Sequence, residues 1–352
     1  MQPVLASFYN KTQAARKVIV VDLGFLGDSV HLLPALREIK HHYPKAELHV
    51  LASPVGVEIL RMAPYVDRAW DFPLGPPSPP WWKHWNIIRA LRRERFDLAF
   101  NFSGADRTLF LAALTGAKWR IGYPGGRRHF WSKWLIPNWM PKQSRELPVY
   151  EQRRQALASC GIKLGPVEFG LVIPDPARIW AAENVPTGTI HMSINASSPL
   201  KEWPLRNWVA LSKSLLAAFP KVTIAATGSP RAREQERLEK LQREVQNTRL
   251  KVFPHGLTIP RLAGLLAQSR LHIGADSGVL HLAMALERPT IALFRDYPAA
   301  LEWLPRGPQH RHVKVACECV DRKVQPCAGN GEAVCLGRIA PEQVMELVWE
   351  LQ

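Results

Sequence analysis

Residues 22–36 read Asp-Leu-Gly-Phe-Leu-Gly-Asp-Ser-Val-His-Leu-Leu-Pro-Ala-Leu, directly behind the apolar run Val18-Ile19-Val20-Val21. A buried strand, a glycine-rich turn and the first turns of a helix, in that order, set one carboxylate, Asp28, where turn becomes helix. In an open α/β sheet such a point lies at the carboxyl end of a strand, where ligands bind. Two roles suit Asp28. It is a good N-cap for a helix starting at Ser29, and it is also well placed to take a proton from a substrate as general base. Gly24 and Gly27 let the backbone turn sharply and approach a ligand closely. Their spacing, Gly-x-x-Gly-Asp, is not the Gly-x-Gly-x-x-Gly of dinucleotide-binding folds. Pro34 is expected to kink the helix or mark its early turns.

Three loops in the second half of the chain suit a nucleotide. Gly274-Ala275-Asp276-Ser277-Gly278-Val279-Leu280-His281 follows an apolar run. Ser277 and Gly278 there can present backbone N–H groups at a helix N-terminus to a diphosphate, with His281 one turn on. The plain alternative is that Asp276 caps the helix and His281 packs on its surface. Residues 195–204, Asn-Ala-Ser-Ser-Pro-Leu-Lys-Glu-Trp-Pro, offer Ser197, Ser198 and Lys201 to phosphate oxygens, or form an ordinary polar loop. Residues 227–234 end on Glu234, which suits a ribose hydroxyl or belongs to a charged surface helix. The chain contains no Asp-x-Asp pair to hold a divalent cation on a diphosphate. Lys201 and helix N-termini would have to stabilise such a leaving group instead.

The elements that must position these residues alternate. Short apolar or β-branched runs predict strands over 17–23, 47–52, 97–102 and 119–122. In the second half they predict strands over 189–195, 222–227, 251–253, 271–274, 290–294 and 313–316. Helical patterns lie between them, with an apolar stripe over 205–219 stopped by Pro220 and a charged surface helix over 231–246. This alternation means parallel sheets covered by helices. The length of 352 residues suggests two domains. Residues 73–80 and 123–150 break the rhythm with Pro, Gly, Trp and Arg. The Pro-rich stretch 172–186 marks the domain boundary.

The formal net charge is +16, which favours polyanionic partners. Residues 83–154 hold 15 Lys and Arg against 5 Asp and Glu, and eight of the 13 tryptophans fall between Trp70 and Trp139. Basic residues interleaved with indoles suit a membrane–water interface or an acidic acceptor; the bland reading is a solvated basic face. No apolar run reaches about 18 residues, so no transmembrane helix is expected. The first 17 residues lack a signal-peptide pattern, so the expected location is cytoplasmic. Cys160 reads as a small buried hydrophobe. Cys317, Cys319, Cys327 and Cys335 cluster with the spacing Cys-x-Cys-x₇-Cys-x₇-Cys. This departs from the Cys-x₂₋₄-Cys pairs of structural zinc, so metal ligands, free thiols and a disulfide remain the alternatives there.

Taken together, Gly27-Asp28 with Leu33-Pro34-Ala35-Leu36, Lys201 ahead of Trp203-Pro204, and Asp276-Ser277-Gly278-x-x-His281 resemble the ADP-heptose:lipopolysaccharide heptosyltransferases, from about residue 17 to the C-terminus. The resemblance implies an α/β GT-B fold of two Rossmann-like domains with the active site between them. The expected division is an acceptor-binding domain over 1–175, an ADP-sugar-binding domain over 176–340, and a C-terminal helix over 341–352 that packs back on the first domain. It implies inverting transfer of heptose from ADP-heptose to a lipopolysaccharide inner-core sugar, at the inner face of the inner membrane, with no cofactor required. By the same resemblance Asp28 is the general base and Lys201 meets the diphosphate. Asp276, Ser277, Gly278 and His281 form the donor-binding turn, Ser197 and Ser198 stand near the phosphates, and Glu234 contacts ribose or adenine. Arg120, Arg127 and Arg128 are candidates for an acidic acceptor. Related protein heptosyltransferases bind iron near the cysteine cluster. Alternatives are a protein or other glycan acceptor, or a different nucleotide-sugar donor. A nucleic-acid-binding protein is a further class, but the chain carries no recognised RNA or DNA module and no nucleic-acid partner is expected.

Overall fold

A computed structural model describes residues 5, 7–74, 80–124, 131–297, 299–317 and 333–351, with the backbone alone at Trp81. The chain divides into two units, Met1–Val172 and Ile173–Gln352. The boundary lies inside the Pro-rich stretch that the sequence marks.

The first unit runs α1 (Phe8–Thr12), β1 (Lys17–Asp22), α2 (Leu26–His42), β2 (Glu47–Ala52), α3 (Pro54–Leu60), β3 (Arg68–Asp71), α4 (Trp81–Arg93), β4 (Leu98–Asn101), α5 (Asp106–Leu114), β5 (Trp119–Gly122), α6 (Ser132–Leu135), β6 (Asn138–Trp139) and α7 (Val149–Ala158). Its six strands are all parallel, in the order β3-β2-β1-β4-β5-β6. Helices on both faces bury the central strands completely, which is why Val18 to Val21 is an unbroken apolar run rather than an alternating one.

The second unit runs α8 (Asp175–Asn184), β7 (Thr189–Ser193), α9 (Leu205–Ala218), β8 (Ile224–Thr227), α10 (Ala232–Val245), β9 (Leu250–Phe253), α11 (Ile259–Gln268), β10 (Ser269–Ala275), α12 (Gly278–Ala285), β11 (Thr290–Asp296), α13 (Ala300–Trp303), β12 (His310–Ala316) and α14 (Pro341–Glu350). Its strands, again all parallel, take the order β12-β11-β10-β7-β8-β9. Counted within each unit the two orders are the same, 3-2-1-4-5-6. The topological switch point lies between β1 and β4 in the first unit and between β7 and β10 in the second. Ligands bind at such points in doubly wound sheets.

The final helix belongs to the second unit. Val344 and Val348 of α14 join its core with Trp203, Trp208 and Leu215, so α14 packs on α9. Pro34 is neither at an end of α2 nor in its first turn; the helix continues through it to His42. Among the described residues no helix is long and apolar enough to cross a membrane.

Candidate active site

The first switch point is built around two carboxylates. α2 begins at Leu26, one turn earlier than the sequence suggests, so Asp28 is its third residue and not its N-cap. Its Oδ2 accepts from the Phe25 backbone N–H at 3.0 Å, which satisfies one of the donors that a helix start leaves unpaired. Asp28 therefore folds back over the turn. A Cβ on Gly24 would lie 2.2 Å from Asp28 Cβ and 2.9 Å from Asp22 Oδ1. Gly24 thus makes room for the Asp28 side chain itself, where the sequence suggested room for a ligand.

Asp22 closes the strand. It is buried, its Oδ1 accepts from Gly24 N at 2.9 Å, and its Oδ2 pairs with Arg153 Nη2 at 2.8 Å. Arg153, from α7, also donates through Nη1 to the Asp28 carbonyl at 2.7 Å. One buried guanidinium thus ties the end of β1 to the start of α2. Burial pushes the Asp28 carboxyl above the usual carboxylate range; Arg153 opposes that shift and Asp22 adds to it. A partly desolvated carboxylate with a raised pKa is a stronger proton acceptor than an exposed one.

The second switch point gathers charge of both signs. Lys201 Nζ lies 2.6 Å from Asp276 Oδ2, and the Tyr297 hydroxyl donates to the same oxygen at 3.0 Å. His281 Nε2 lies 4.0 Å from Asp276 Oδ1. Burial lowers the His281 pKa to about 4, so at neutral pH its imidazole is uncharged and the contact is not an ion pair. Ser277 precedes α12 in an extended conformation, and its buried Oγ has no hydrogen-bond partner. It does not cap its helix, which leaves hydroxyl and helix N-terminus together beside Lys201 and Asp276.

The loop carrying Lys201 is held by Trp203 of the quoted motif and by three residues that sequence alone does not single out, Glu202, Arg233 and Arg237. Glu202 is buried, accepts from Ala196 N at 2.9 Å and takes both Arg233 guanidinium nitrogens, at 2.6 and 2.7 Å. Arg237, one turn along α10, donates to Asn195 Oδ1 at 3.0 Å. Trp203 is buried and donates to the Ile339 carbonyl at 3.0 Å. The only hint in sequence is Arg233 and Arg237 spaced four apart on a helix that otherwise reads as solvated surface. Tyr297 has no motif to announce it.

The remaining expected residues fall as follows. Ser198 accepts from Leu200 N at 3.3 Å, which starts the short 3₁₀ turn Pro199–Lys201, and Ser197 is exposed beside it. Glu234 is buried and accepts from Ser229 N at 2.9 Å, closing the turn after β8. Arg120 donates to the Leu135 and Ala117 carbonyls, both at 2.7 Å, and so braces α6 against β5. Arg127 and Arg128 lie outside the described residues, as do Cys319 and Cys327. Cys317 and Cys335 are both buried. Among the described residues, Glu47, His49 and Glu94 bring ligand-type atoms within 4.8 Å of one another, but Lys17 already pairs with Glu94 at 2.7 Å and Glu47 at 3.5 Å.

In sequence and in fold the chain is similar to known proteins. Lipopolysaccharide heptosyltransferase 2 of Escherichia coli is 23% identical over 347 residues, covering 94% of this chain and 97% of that protein. The solved structure of E. coli ADP-heptose lps heptosyltransferase II superposes with a TM-score of 0.75 at 19% identity, over 95% of this chain and 98% of the other. E. coli heptosyltransferase WaaC with ADP-2-deoxy-2-fluoro heptose gives 0.72 at 18% identity, over 96% and 100%. These likenesses show the GT-B fold. The family model for glycosyltransferase family 9 (heptosyltransferase) matches residues 84–331, and the chain belongs to that family of glycosyltransferases.

Proposed function

We propose that this protein transfers heptose from ADP-heptose to an inner-core sugar of lipopolysaccharide, with inversion at the anomeric carbon. The observation that carries the reading is the complementary equipment of the two switch points: a desolvated carboxylate, Asp28, in one unit and a lysine with a free serine hydroxyl and a helix N-terminus in the other. The similarity to lipopolysaccharide heptosyltransferase 2 and to E. coli ADP-heptose lps heptosyltransferase II, each over nearly the whole of both chains, supports the choice of donor and acceptor.

In this mechanism Asp28 takes the proton of the acceptor hydroxyl. The acceptor oxygen bonds to the anomeric carbon on the face opposite the nucleotide. The bond from that carbon to the diphosphate oxygen breaks, and ADP leaves with the electron pair. Lys201 and the α12 N-terminus stabilise the charge that develops on ADP, so no divalent cation is required. Asp276 and Tyr297 hold Lys201 in place, and Ser197, Ser198 and Glu234 line the donor loops. Arg127 and Arg128 belong to the acceptor side.

The test is to incubate the protein with ADP-heptose and a set of truncated lipopolysaccharides, with and without EDTA, and to read mass gain and anomeric configuration. One heptose added with inverted configuration and undiminished by EDTA supports the reading. Retained configuration, or transfer to a protein serine in preference to every core acceptor, overturns it.

A further inference from the structure

The layer α4–α5–α6 carries a surface outside the residues that the proposed mechanism uses. These helices pack side by side over one core cluster, to which α4 contributes Ile88 and Leu91 and α5 contributes Leu109 and Leu111. The outer side of α4 is different. Trp82, Trp85, Arg89 and Arg92 recur at helical spacing on a single stripe, and all four are exposed, as are Lys83 and Arg93. Trp82 is 53% and Trp85 49% exposed. Beside them Phe110 of α5 is 46% exposed and stacks on Trp131 at 5.0 Å, and Trp134 of α6 is 75% exposed. Four large aromatic side chains therefore stand out on one layer of one unit.

The charge on this layer has one sign. The three helices hold six basic residues, Lys83, Arg89, Arg92, Arg93, Arg107 and Lys133, against one carboxylate, Asp106. Among the described residues no ion pair engages Arg89, Arg92 or Arg93. With Trp85, Ile88 and Arg95 these arginines line a groove of about 430 Å³, which is of a size and charge for phosphate headgroups.

We propose that the outer face of α4, flanked by Phe110 and Trp134, docks this protein on an anionic lipid bilayer. Indole rings are stable at headgroup depth, where their apolar body leaves water while the N–H stays hydrated. Arginines set among them are drawn to anionic lipid over a Debye length. A nucleic-acid surface would need the same charge but not an outward row of exposed apolar rings. The purpose of the docking rests on the reading of the acceptor as a membrane glycolipid.

The experiment is flotation of the full-length protein with vesicles of phosphatidylcholine alone or with 30% phosphatidylglycerol, a composition chosen to give roughly the surface potential of an anionic leaflet. The wild type is expected to bind the anionic vesicles and not the neutral ones. Arg89→Gln, Arg92→Gln and Arg93→Gln together should lower the partition coefficient on the order of 100-fold, roughly fivefold per charge. Trp82→Ser with Trp85→Ser should lower it on the order of tenfold. Turnover on a soluble core oligosaccharide should be unchanged in both variants. A wild type that ignores anionic vesicles, equal binding to both compositions, or variants that bind as well as wild type overturns the proposal. Concentration-dependent dimerisation, lost with the tryptophans while vesicle binding persists, gives the face to a second copy and overturns it too. Absence of turnover in the wild type counts against heptosyl transfer and leaves the vesicle result standing.

Discussion

Asp28 and Lys201 occupy matching places in two sheets of the same strand order: each follows the first strand of its unit, β1 or β7, beside the switch point. Their surroundings are opposite. In the first unit two acidic groups meet a single buried guanidinium from α7, and Asp28 is left above the ordinary carboxylate range. In the second unit the lysine meets the Asp276 carboxylate just past β10, and the same carboxylate accepts from the Tyr297 phenol just past β11. Under the proposed mechanism, one topology is equipped once to accept a proton and once to hold an anion. Function here lives in a few side chains at strand ends, and the fold supplies only the place for them.

The predictions probe that division. After the general base itself, the largest effect is expected from Lys201→Ala, which removes the cation from the second switch point: kcat should fall by about 10²–10³, the range seen when one donor to a developing anion is removed. ADP affinity, read by calorimetry, should fall with it. Arg153→Gln comes next. It leaves Asp22 buried without its partner, a change that costs about 3–5 kcal/mol in a chemical-denaturation midpoint. It should also move the acidic limb of kcat/KM upward, because Arg153 opposes the rise in the Asp28 pKa.

Acid should separate the units further. Burial lowers the pKa of His191 to about 3, of His281 and His310 to about 4, and of His272 well below the usual histidine range. Each of these is neutral when folded and takes up a proton on unfolding below about pH 6.5. The unfolded state then binds more protons, so stability falls with falling pH, by up to about 1.4 kcal/mol per pH unit for each histidine. In the first unit His49 is lowered in the same way, while Asp67 and Glu94 are held below their usual values. Those carboxylates give up stability only below about pH 4.5. Hydrogen exchange at pH 5 against pH 7.5 should show the second unit losing more protection than the first. The smallest effect belongs to Tyr297→Phe, which deletes one hydrogen bond to Asp276 and should raise KM for the donor severalfold with little change in kcat, since one such bond is worth about 1–1.5 kcal/mol.

Most of the sheet was legible because its strands are buried on both faces and read as β-branched runs. β3 and β6 were not. Arg68–Asp71 is half-exposed with a charge at each end, and Asn138–Trp139 is two residues long, so neither carries a pattern. Asp28, Lys201, Asp276 and His281 were legible because each follows an apolar run at a turn. Arg153 was not, because it reaches Asp28 from 125 residues away in sequence and sits on a helix with no motif. Glu202, Arg233 and Tyr297 were hidden for the same reason: their work is to hold other side chains, and long-range partners leave no local signature. The start of α2 was placed late because Phe25, an exposed aromatic, stands where a polar cap was expected.

The central claim is that proton acceptance and anion binding are divided between the two units. It is tested most directly by Asp28→Asn, measured for kcat and for ADP-heptose affinity in the same preparation. The account predicts a loss of about 10²–10⁴ in kcat, the range of general-base catalysis, with donor affinity within about twofold of wild type. Turnover near the wild-type rate, or donor affinity lost in step with kcat, would contradict it.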